Sequence, residues 1–364
     1  MTALGALPGG CSVSLNPHVV AGRATETYGE LVIGGFWIAE LGPDEVYRVV
    51  YHNDIDYGND FPVVSPGGQR VLAVNSRSPL FGIYSKVGSS WSGVRWASPF
   101  MFGDFSGNWW LSYDGSVAYR TINALYDLIN RLKIFDYPGV TPSGVANAPG
   151  EILFLIEADL LSNTILVKSL KLPFDPINPW ILKATVPITL TISGQPVTNA
   201  YTVGYTDSSA QFLWMRYGDP GVQLAVAIFS LPDGSFVSGK VFNTVDPNYS
   251  IRYVVSIPSG YMALLDPEPG LPFGNPVYVY NSVTDSLMAV NTEPIALLGG
   301  SRMAKDPVSG VVWLFVPGVA DDPVRGPLAV TKVYRIPPPY TSIIPWQVGV
   351  PEDVTIPSGP NPTP

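Results

Sequence analysis

The amino-acid sequence predicts an all-β fold of short strands, and three features of its composition indicate this. Hydrophobic residues make up 46% of the 364 residues and aromatic residues 12%, which favours strands with an apolar face. Glycine (36 residues) and proline (37) supply the residue types that tight turns need. Charged residues make up 13%, about half of their share in an ordinary soluble domain, so long amphipathic helices would lack their polar faces.

Paired apolar runs, each interrupted by a polar turn, recur along the chain. The stretch "RVLAVNSRSPLFGIYS" is one example. The mean step between pairs is about 47 residues, which lies in the range of propeller-type repeats. The steps are uneven, as loop insertions or a wrong repeat assignment would explain. The sequence predicts seven pairs, whose first strands begin near Glu30, Arg70, Ser116, Glu151, Ala210, Gly260 and Val311.

A further short strand beside each pair brings the repeat to four strands. Stretches such as "SGNWWLSYDGS", "AYTVGYTDSS" and "IRYVVSIPSG" are bounded by turn-forming residues. Four short strands per repeat predict a β-propeller, most simply one with seven four-stranded blades. We expect a propeller over residues 29–336, an N-terminal arm over 1–28 and a proline-rich C-terminal arm over 337–364.

Several turns carry a resemblance to known propellers. "SPGGQRVLAV" followed by "FGIYS" resembles the Ser-Pro-Asp-Gly turn and strands of WD40-like propellers, and "YDGSVAY" and "LPDGSFV" are similar. "KDPVSGVVW" resembles the Asp-box turns of sialidase-like propellers, whose aspartates stabilise the turn without taking part in catalysis. No Trp-Asp dipeptide ends each repeat, so the resemblance implies an architecture and no specific family. Such propellers include binding platforms and glycan-processing enzymes.

One stretch allows two interpretations. In "TINALYDLINRLKIF", apolar residues from Ile122 to Leu132 recur at helical spacing, which favours a short helix inserted on one face of the ring. The repeat pattern instead predicts a hairpin here. Residues 121–133 are therefore a helix or a hairpin.

The C-terminal arm is predicted to be an interaction element. Its prolines favour an extended backbone, yet Ile343, Ile344 and Trp346 are apolar residues that a free linker would not need. We expect these three residues to anchor the arm on another protein subunit. The alternative is that the arm packs back on its own propeller and helps to close the ring.

An acidic loop is the best candidate for a metal site. Asp54, Asp56 and Asp60 surround Gly58 in "NDIDYGND", and alternating carboxylates of this kind suit calcium. The match to a calcium loop is partial, because glycine stands at the fifth position and no glutamate follows at the twelfth. The alternative is a solvated acidic loop, and no other cofactor is predicted.

Residues for catalysis are sparse in the sequence. Only two histidines are present, His18 and His52, and the arginines are scattered singly. Glu157, Asp159 and Asp266 could serve as acids, but the sequence does not distinguish them from residues that cap turns. The tryptophans suit either the wedges between blades or a sugar-stacking platform. We therefore predict that the protein is not an enzyme.

Charge and composition limit the classes of partner that the sequence predicts. The net charge of −9 disfavours nucleic acid, no apolar run is long enough for a membrane span, and the N-terminus lacks the basic residues of a signal peptide. We predict a non-catalytic platform for protein assembly or attachment, in a virion such as a phage tail or capsid, or in an extracellular surface assembly. The alternative is a glycan-binding or glycan-hydrolysing propeller, which a central pocket with converging acids and arginines would favour.

Overall fold

The structure, a computed structural model, describes most of the chain. Within the described residues the chain forms strands and turns alone, and it contains no helix that is long and apolar enough to span a membrane. The described residues are 6–24, 35–53, 62–74, 80–97, 109–120, 124–136, 151–171, 175, 177–178, 180–198, 200–206, 211–218, 223–231, 233–243, 249–267, 275–291, 300–322 and 326–346.

The strands of the first half of the chain are β1 (Ala6–Pro8), β2 (Gly10–Val13), β3 (Val19–Ala24), β4 (Gly35–Leu41), β5 (Tyr47–Asn53), β6 (Val63–Val64), β7 (Arg70–Val74), β8 (Leu80–Val87), β9 (Ser90–Ala97), β10 (Trp109–Leu111), β11 (Val117–Arg120), β12 (Ala124–Asp127), β13 (Leu132–Asp136), β14 (Glu151–Asp159), β15 (Thr164–Lys171) and β16 (Trp180–Pro187).

Those of the second half are β17 (Leu190–Ile192), β18 (Gln195–Val197), β19 (Ala200–Tyr205), β20 (Phe212–Tyr217), β21 (Ala225–Ser230), β22 (Phe236–Val241), β23 (Tyr249–Ile257), β24 (Gly260–Pro267), β25 (Pro276–Asn281), β26 (Ser286–Asn291), β27 (Arg302–Lys305), β28 (Val312–Asp322), β29 (Gly326–Ile336) and β30 (Ile344–Trp346).

These strands form a seven-bladed propeller. Blades 1, 2 and 3 are the antiparallel sheets β2–β5, β6–β9 and β10–β13, and blade 4 is β14–β16. Blades 5 and 6 are β19–β22 and β23–β26, and blade 7 is built on β27–β29. The first strands contact one another in a closed cycle, from β2 through β6, β10, β14, β19, β23 and β27 back to β2. The predicted all-β propeller fold is therefore confirmed.

Both ends of the described chain complete blade 7. Strand β1 pairs with β29 from Ala6↔Lys332 to Pro8↔Val330, and β30 pairs with the same strand from Val333↔Trp346 to Arg335↔Ile344. The two short strands thus extend the sheet end to end along one edge of β29. The range predicted as the N-terminal arm therefore contains the three strands β1, β2 and β3, and the range predicted as the C-terminal arm contains β30.

Residues 124–136 form a hairpin, which decides between the two interpretations of this stretch. Leu125 and Tyr126 are adjacent in β12 and both are buried, so both faces of this strand are covered, because adjacent strand residues point to opposite faces. Two adjacent apolar residues of this kind imitate the spacing of a helix in the sequence, and the extra residue of the nearby β-bulge is Ile134 in β13. Ile129 and Leu132, which a helix would bury on the same face, are both 59% exposed.

Aromatic side chains fill the wedges between blades. Between blades 7 and 1, the ring of Tyr47 makes edge contacts with Trp313 at 5.4 Å and with Phe315 at 5.7 Å. All three side chains are fully buried or nearly so. Aromatic pairs in this geometry add to the stabilisation that burial of their large surface provides. Other tryptophans are buried in the same way in blades 2, 3 and 5: Trp91, Trp96, Trp109 and Trp214.

Candidate functional site

Two faces of the ring carry the functional side chains. In a blade of antiparallel strands, the turn after the first strand and the turn after the third strand lie at the same end. We call this end the turn face. At the opposite end the first strand of each blade begins and the second strand ends.

The turn face is built from turns that a side chain holds in place. Among the described residues, eight of these turns have an oxygen of Asp or Asn that accepts a hydrogen bond from the backbone N–H two residues later, which fixes the turn. A further turn of this kind, at Asp175, lies in the connection between β15 and β16. Four of the eight place His18, Val46, Ser116 or Ser235 at the later position. The other four place an exposed aliphatic residue there and join Asp127 to Ile129 at 2.9 Å, Asp159 to Leu161 at 3.1 Å, Asn281 to Val283 at 2.9 Å and Asp306 to Val308 at 2.9 Å.

Each of these four turns presents an aliphatic side chain to solvent. We call Ile129, Leu161, Val283 and Val308 the aliphatic tips. Their exposed fractions run from 53% to 100%, and they belong to blades 3, 4, 6 and 7. The hydrogen bond to the backbone of the tip residue orders the turn before any partner is bound.

The capping carboxylates favour the ionised form. The hydroxyl of Ser162 and the backbone N–H groups of Ser162 and Leu161 hold the pKa of Asp159 below its ordinary value. At Asp306, partial burial alone would raise the pKa, but hydrogen bonds from Ser309, Val308 and His18 lower it. Both turns therefore carry a negative charge at neutral pH.

An arginine cluster lies at the opposite end of the ring. It consists of Arg216, Ser250, Arg252, Asp266 and Arg302, which come from the ends of neighbouring strands in blades 5, 6 and 7. The Nη1 atom of Arg216 donates a hydrogen bond to the Ser250 hydroxyl. Arg252 Nε lies 3.8 Å from the Asp266 carboxylate. The acid and the arginines, which are far apart in the sequence, therefore converge at one place.

Backbone irregularities accompany this cluster. Arg252 is an extra residue in β23, because Ile251 pairs with Leu265 and Tyr253 pairs with Leu264. Register shifts also occur near the start of β19 and of β14, at the same end of the ring. Bulges of this kind change the direction in which a side chain points and are common beside functional sites.

The one acid of the described cluster is buried. Burial raises the pKa of Asp266, and this effect outweighs the hydrogen bonds from Ser301 and the charges of Arg252 and Arg302, which lower it. Ser301 N donates a 3.2 Å hydrogen bond to this carboxylate. The sequence offered Asp266 as a candidate acid but gave no sign of its neighbours.

The other predicted acids and histidines have structural roles. Glu157 is exposed and forms an ion pair with Lys168, and Asp159 caps a turn. His18 Nε2 lies 3.2 Å from Asp306 and links the turns of blades 1 and 7, and His52 is buried in β5. Asp54, Asp56 and Asp60 lie outside the described residues, so the calcium site stays a prediction. Among the residues the structure describes, no group of three His, Cys, Asp or Glu could hold a metal ion.

The described part of the C-terminal arm packs on the propeller. Trp346 is half-buried against the core between blades 7 and 1, and Ile343 is half-buried against blades 6 and 7. Ile344 is 39% exposed. These contacts are those of the alternative in which the arm packs back on its own ring. Docking of the same residues on a partner stays a prediction.

Comparisons with known proteins agree with the fold. No family model and no curated protein matches the chain. A provisionally named 6-phosphogluconolactonase of Bacteroides fragilis matches with a TM-score of 0.54 at 11% identity, over 93% of this chain and 97% of the other. The Cps50 (Swd1) propeller domain of Myceliophteria thermophila gives a TM-score of 0.45 at 10% identity, over 90% and 96%. A prolyl endopeptidase gives 0.46 at 10% identity, over 96% and 51%. The first of these likenesses shows the propeller fold alone.

Proposed function

We propose that this protein is a non-catalytic platform that docks other proteins on its turn face. The observation that carries the proposal is the set of four aliphatic tips, each held out by a capped turn. Exposed aliphatic residues are ordinary when they occur singly. Here four blades repeat one design on one face, which favours a shared role.

The capped turns lower the cost of docking. A flexible loop loses conformational entropy when it is ordered in an interface, and a turn that is already fixed loses less. The Asp159 carboxylate holds the N–H groups of Leu161 and Ser162, and Asp127 holds those of Ile129 and Asn130. Burial of the aliphatic tips in a partner would then contribute to the free energy of binding with little loss of conformational entropy.

The charge of the turn face indicates the chemistry of the partner. Each of the tips Ile129, Leu161 and Val308 stands beside its own capping carboxylate. A partner surface with apolar pockets and a basic rim would complement this pattern. The net charge of −9 would also speed encounter with a basic partner.

The composition of the arginine cluster also favours binding of a ligand over its hydrolysis. Hydrolysis of glycosides ordinarily needs two carboxyl groups on either side of the scissile bond. Asp266 is the single carboxylate of the described cluster, and an arginine accompanies it. That the assembly is a virion or another surface assembly stays a prediction from composition.

Quantitative co-purification tests the proposal. Tagged wild-type protein is recovered from the cells that produce it, beside a Leu161→Ser/Val308→Ser variant and a Leu182→Ser control. Leu182 is a 57% exposed aliphatic residue near the start of β16 in blade 4, towards the end of the ring opposite the turn face. We expect a defined set of basic proteins with the wild type and the control, and its loss with the double variant. Equal recovery with all three proteins would contradict the proposal.

A further inference from the structure

We propose that the arginine cluster binds the oxyanion group, a carboxylate or a phosphate, of a small acidic ligand. The cluster lies at the end of the ring opposite the turn face. The inference therefore goes beyond protein docking and stands or falls separately from it.

The cluster concentrates positive charge in an acidic protein. The charges of Arg252 and Arg302 act on the Asp266 carboxylate, and Arg216 is hydrogen-bonded to Ser250, which pairs with Asp266 in the sheet. Three guanidinium groups and one carboxylate give the cluster a formal charge of +2. The whole chain carries −9. A guanidinium donates two parallel hydrogen bonds to a carboxylate or a phosphate, which makes arginine the usual residue for such ligands.

The chain itself holds the guanidinium groups in position. Arg302 Nη1 donates to the carbonyls of Gly300 at 2.8 Å and Ser301 at 3.1 Å, and its guanidinium lies 5.9 Å from the Tyr253 ring centre. Arg216 is held by the hydroxyl of Ser250 in the next blade. A ligand would therefore meet donors whose positions are already fixed, which lowers the entropic cost of binding.

The backbone makes room for the buried acid that organises the cluster. A Cβ atom at Gly300 would lie 2.6 Å from Asp266 Oδ2, so only glycine allows the carboxylate to sit against the chain here. That carboxylate accepts the N–H of Ser301 and lies beside Arg252. Asp266 therefore connects the start of blade 7 to the arginine of blade 6.

Arg252 can be reached from solvent. It occupies the bulge in β23, and its side chain is 34% exposed. The bulge lets Arg252 leave the regular alternation of the strand. Arg252 can therefore reach a ligand while Asp266 beside it stays buried.

The charge of the whole chain favours a small ligand over a polyanion. A nucleic acid would extend beyond the cluster and meet the field of a protein with a charge of −9. A single carboxylate or phosphate group on a small molecule meets only the local +2. The expected class is a sugar acid, a short organic acid or a phosphate ester.

Titration calorimetry with four probes tests the inference. The probes are inorganic phosphate, glucuronate, citrate and, as an uncharged match for glucuronate, glucose. The proteins are the wild type, Arg252→Met and an Arg48→Met control. Arg48 is an exposed arginine, paired with Asp44, whose loss removes the same charge far from the cluster. Circular dichroism and melting temperature establish that each variant is folded, and Arg302→Met serves as a second variant.

We expect at least one anion to bind the wild type and the control with a Kd below about 1 mM, and glucose not to bind. Arg252→Met should weaken that binding by about tenfold or more, because a charge-assisted hydrogen bond is lost. Preference for phosphate over glucuronate and citrate, or the reverse, identifies the source of the oxyanion. Failure of all three anions to bind the folded wild type, or equal affinity in Arg252→Met and Arg48→Met, would overturn the inference.

Discussion

The indole Nε1 of Trp346 donates a 2.7 Å hydrogen bond to the backbone carbonyl of Glu45, in the turn between β4 and β5 of blade 1. The Arg335 guanidinium lies 4.2 Å from the centre of the same indole ring and forms a 2.6 Å ion pair with the Glu45 carboxylate. The ring of Trp313 makes an edge contact with the indole ring of Trp346. The end of the described chain is thus fastened across the joint between blades 7 and 1.

Removal of this indole should destabilise the ring. We expect Trp346→Ala to lower the free energy of unfolding by about 2 kcal/mol, because a half-buried aromatic ring, its hydrogen bond and its stacking on Arg335 are lost together. Urea unfolding followed by tryptophan fluorescence measures this. The neighbouring Ile344→Ala, at a 39% exposed position, should cost under about 0.5 kcal/mol. Equal stability of both variants would mean that the arm does not support the fold.

The cap at Asp306 should make stability depend on pH. Its pKa is held below the ordinary 3.8, so the folded state binds fewer protons at this site than the unfolded state. The stabilisation is therefore fully present above pH 3.8 and is lost as the pH falls through the lowered pKa. We expect Asp306→Ala to cost about 1–2 kcal/mol at pH 7 and less below pH 3.8. A cost that does not change with pH would contradict this, and Asp321→Ala, at an exposed position, is the control.

The order of a capped turn should matter for docking as much as its exposed tip does. We expect Asp159→Ala to weaken partner binding several-fold even though Leu161 is kept, because the turn loses the acceptor that fixes it. Asp159→Asn keeps an oxygen acceptor and should bind nearly as the wild type does. Surface plasmon resonance with the co-purified partner measures both. If Asp159→Asn lost as much binding as Asp159→Ala does, the effect would be due to the charge of the carboxylate and not to the order of the turn.

The protein should release no product from a panel of aryl glycosides and sialosides. Glycoside hydrolysis ordinarily needs a second carboxyl group near Asp266, and the described cluster supplies arginines there. A chromogenic assay at several pH values checks this expectation. Turnover that disappears in Asp266→Asn would identify a hydrolase and refute the non-catalytic assignment.

The sequence predicted the architecture because repeats and turn chemistry are local signals. The pairs that begin near Arg70 and Gly260 correspond to second and third strands, and "SGNWWLSYDGS" contains the first strand β10. The hairpin at 124–136 remained ambiguous because the adjacent Leu125 and Tyr126 are both apolar and both buried, which breaks the alternation from which a half-buried strand is recognised.

The candidate sites could be predicted only in part. The pattern of Asp or Asn, any residue and an aliphatic residue is visible in "DLIN", "DLLS", "NSVT" and "DPVS". Its repetition on one face required the strand order. The arginine cluster was not visible in the sequence, because Arg216, Asp266 and Arg302 meet only when three blades stack. Single arginines at irregular spacing carry no sequence signal for such a meeting.

Photo-crosslinking at position 161 tests the central claim most directly. A photoreactive phenylalanine analogue replaces Leu161 in one protein and Leu182 in another, and both are irradiated in the cells that produce the protein. We predict covalent adducts with a small, defined set of proteins from position 161 and few from position 182. Equal adduct yields at the two positions, or no adducts from position 161, would contradict a docking role for the turn face.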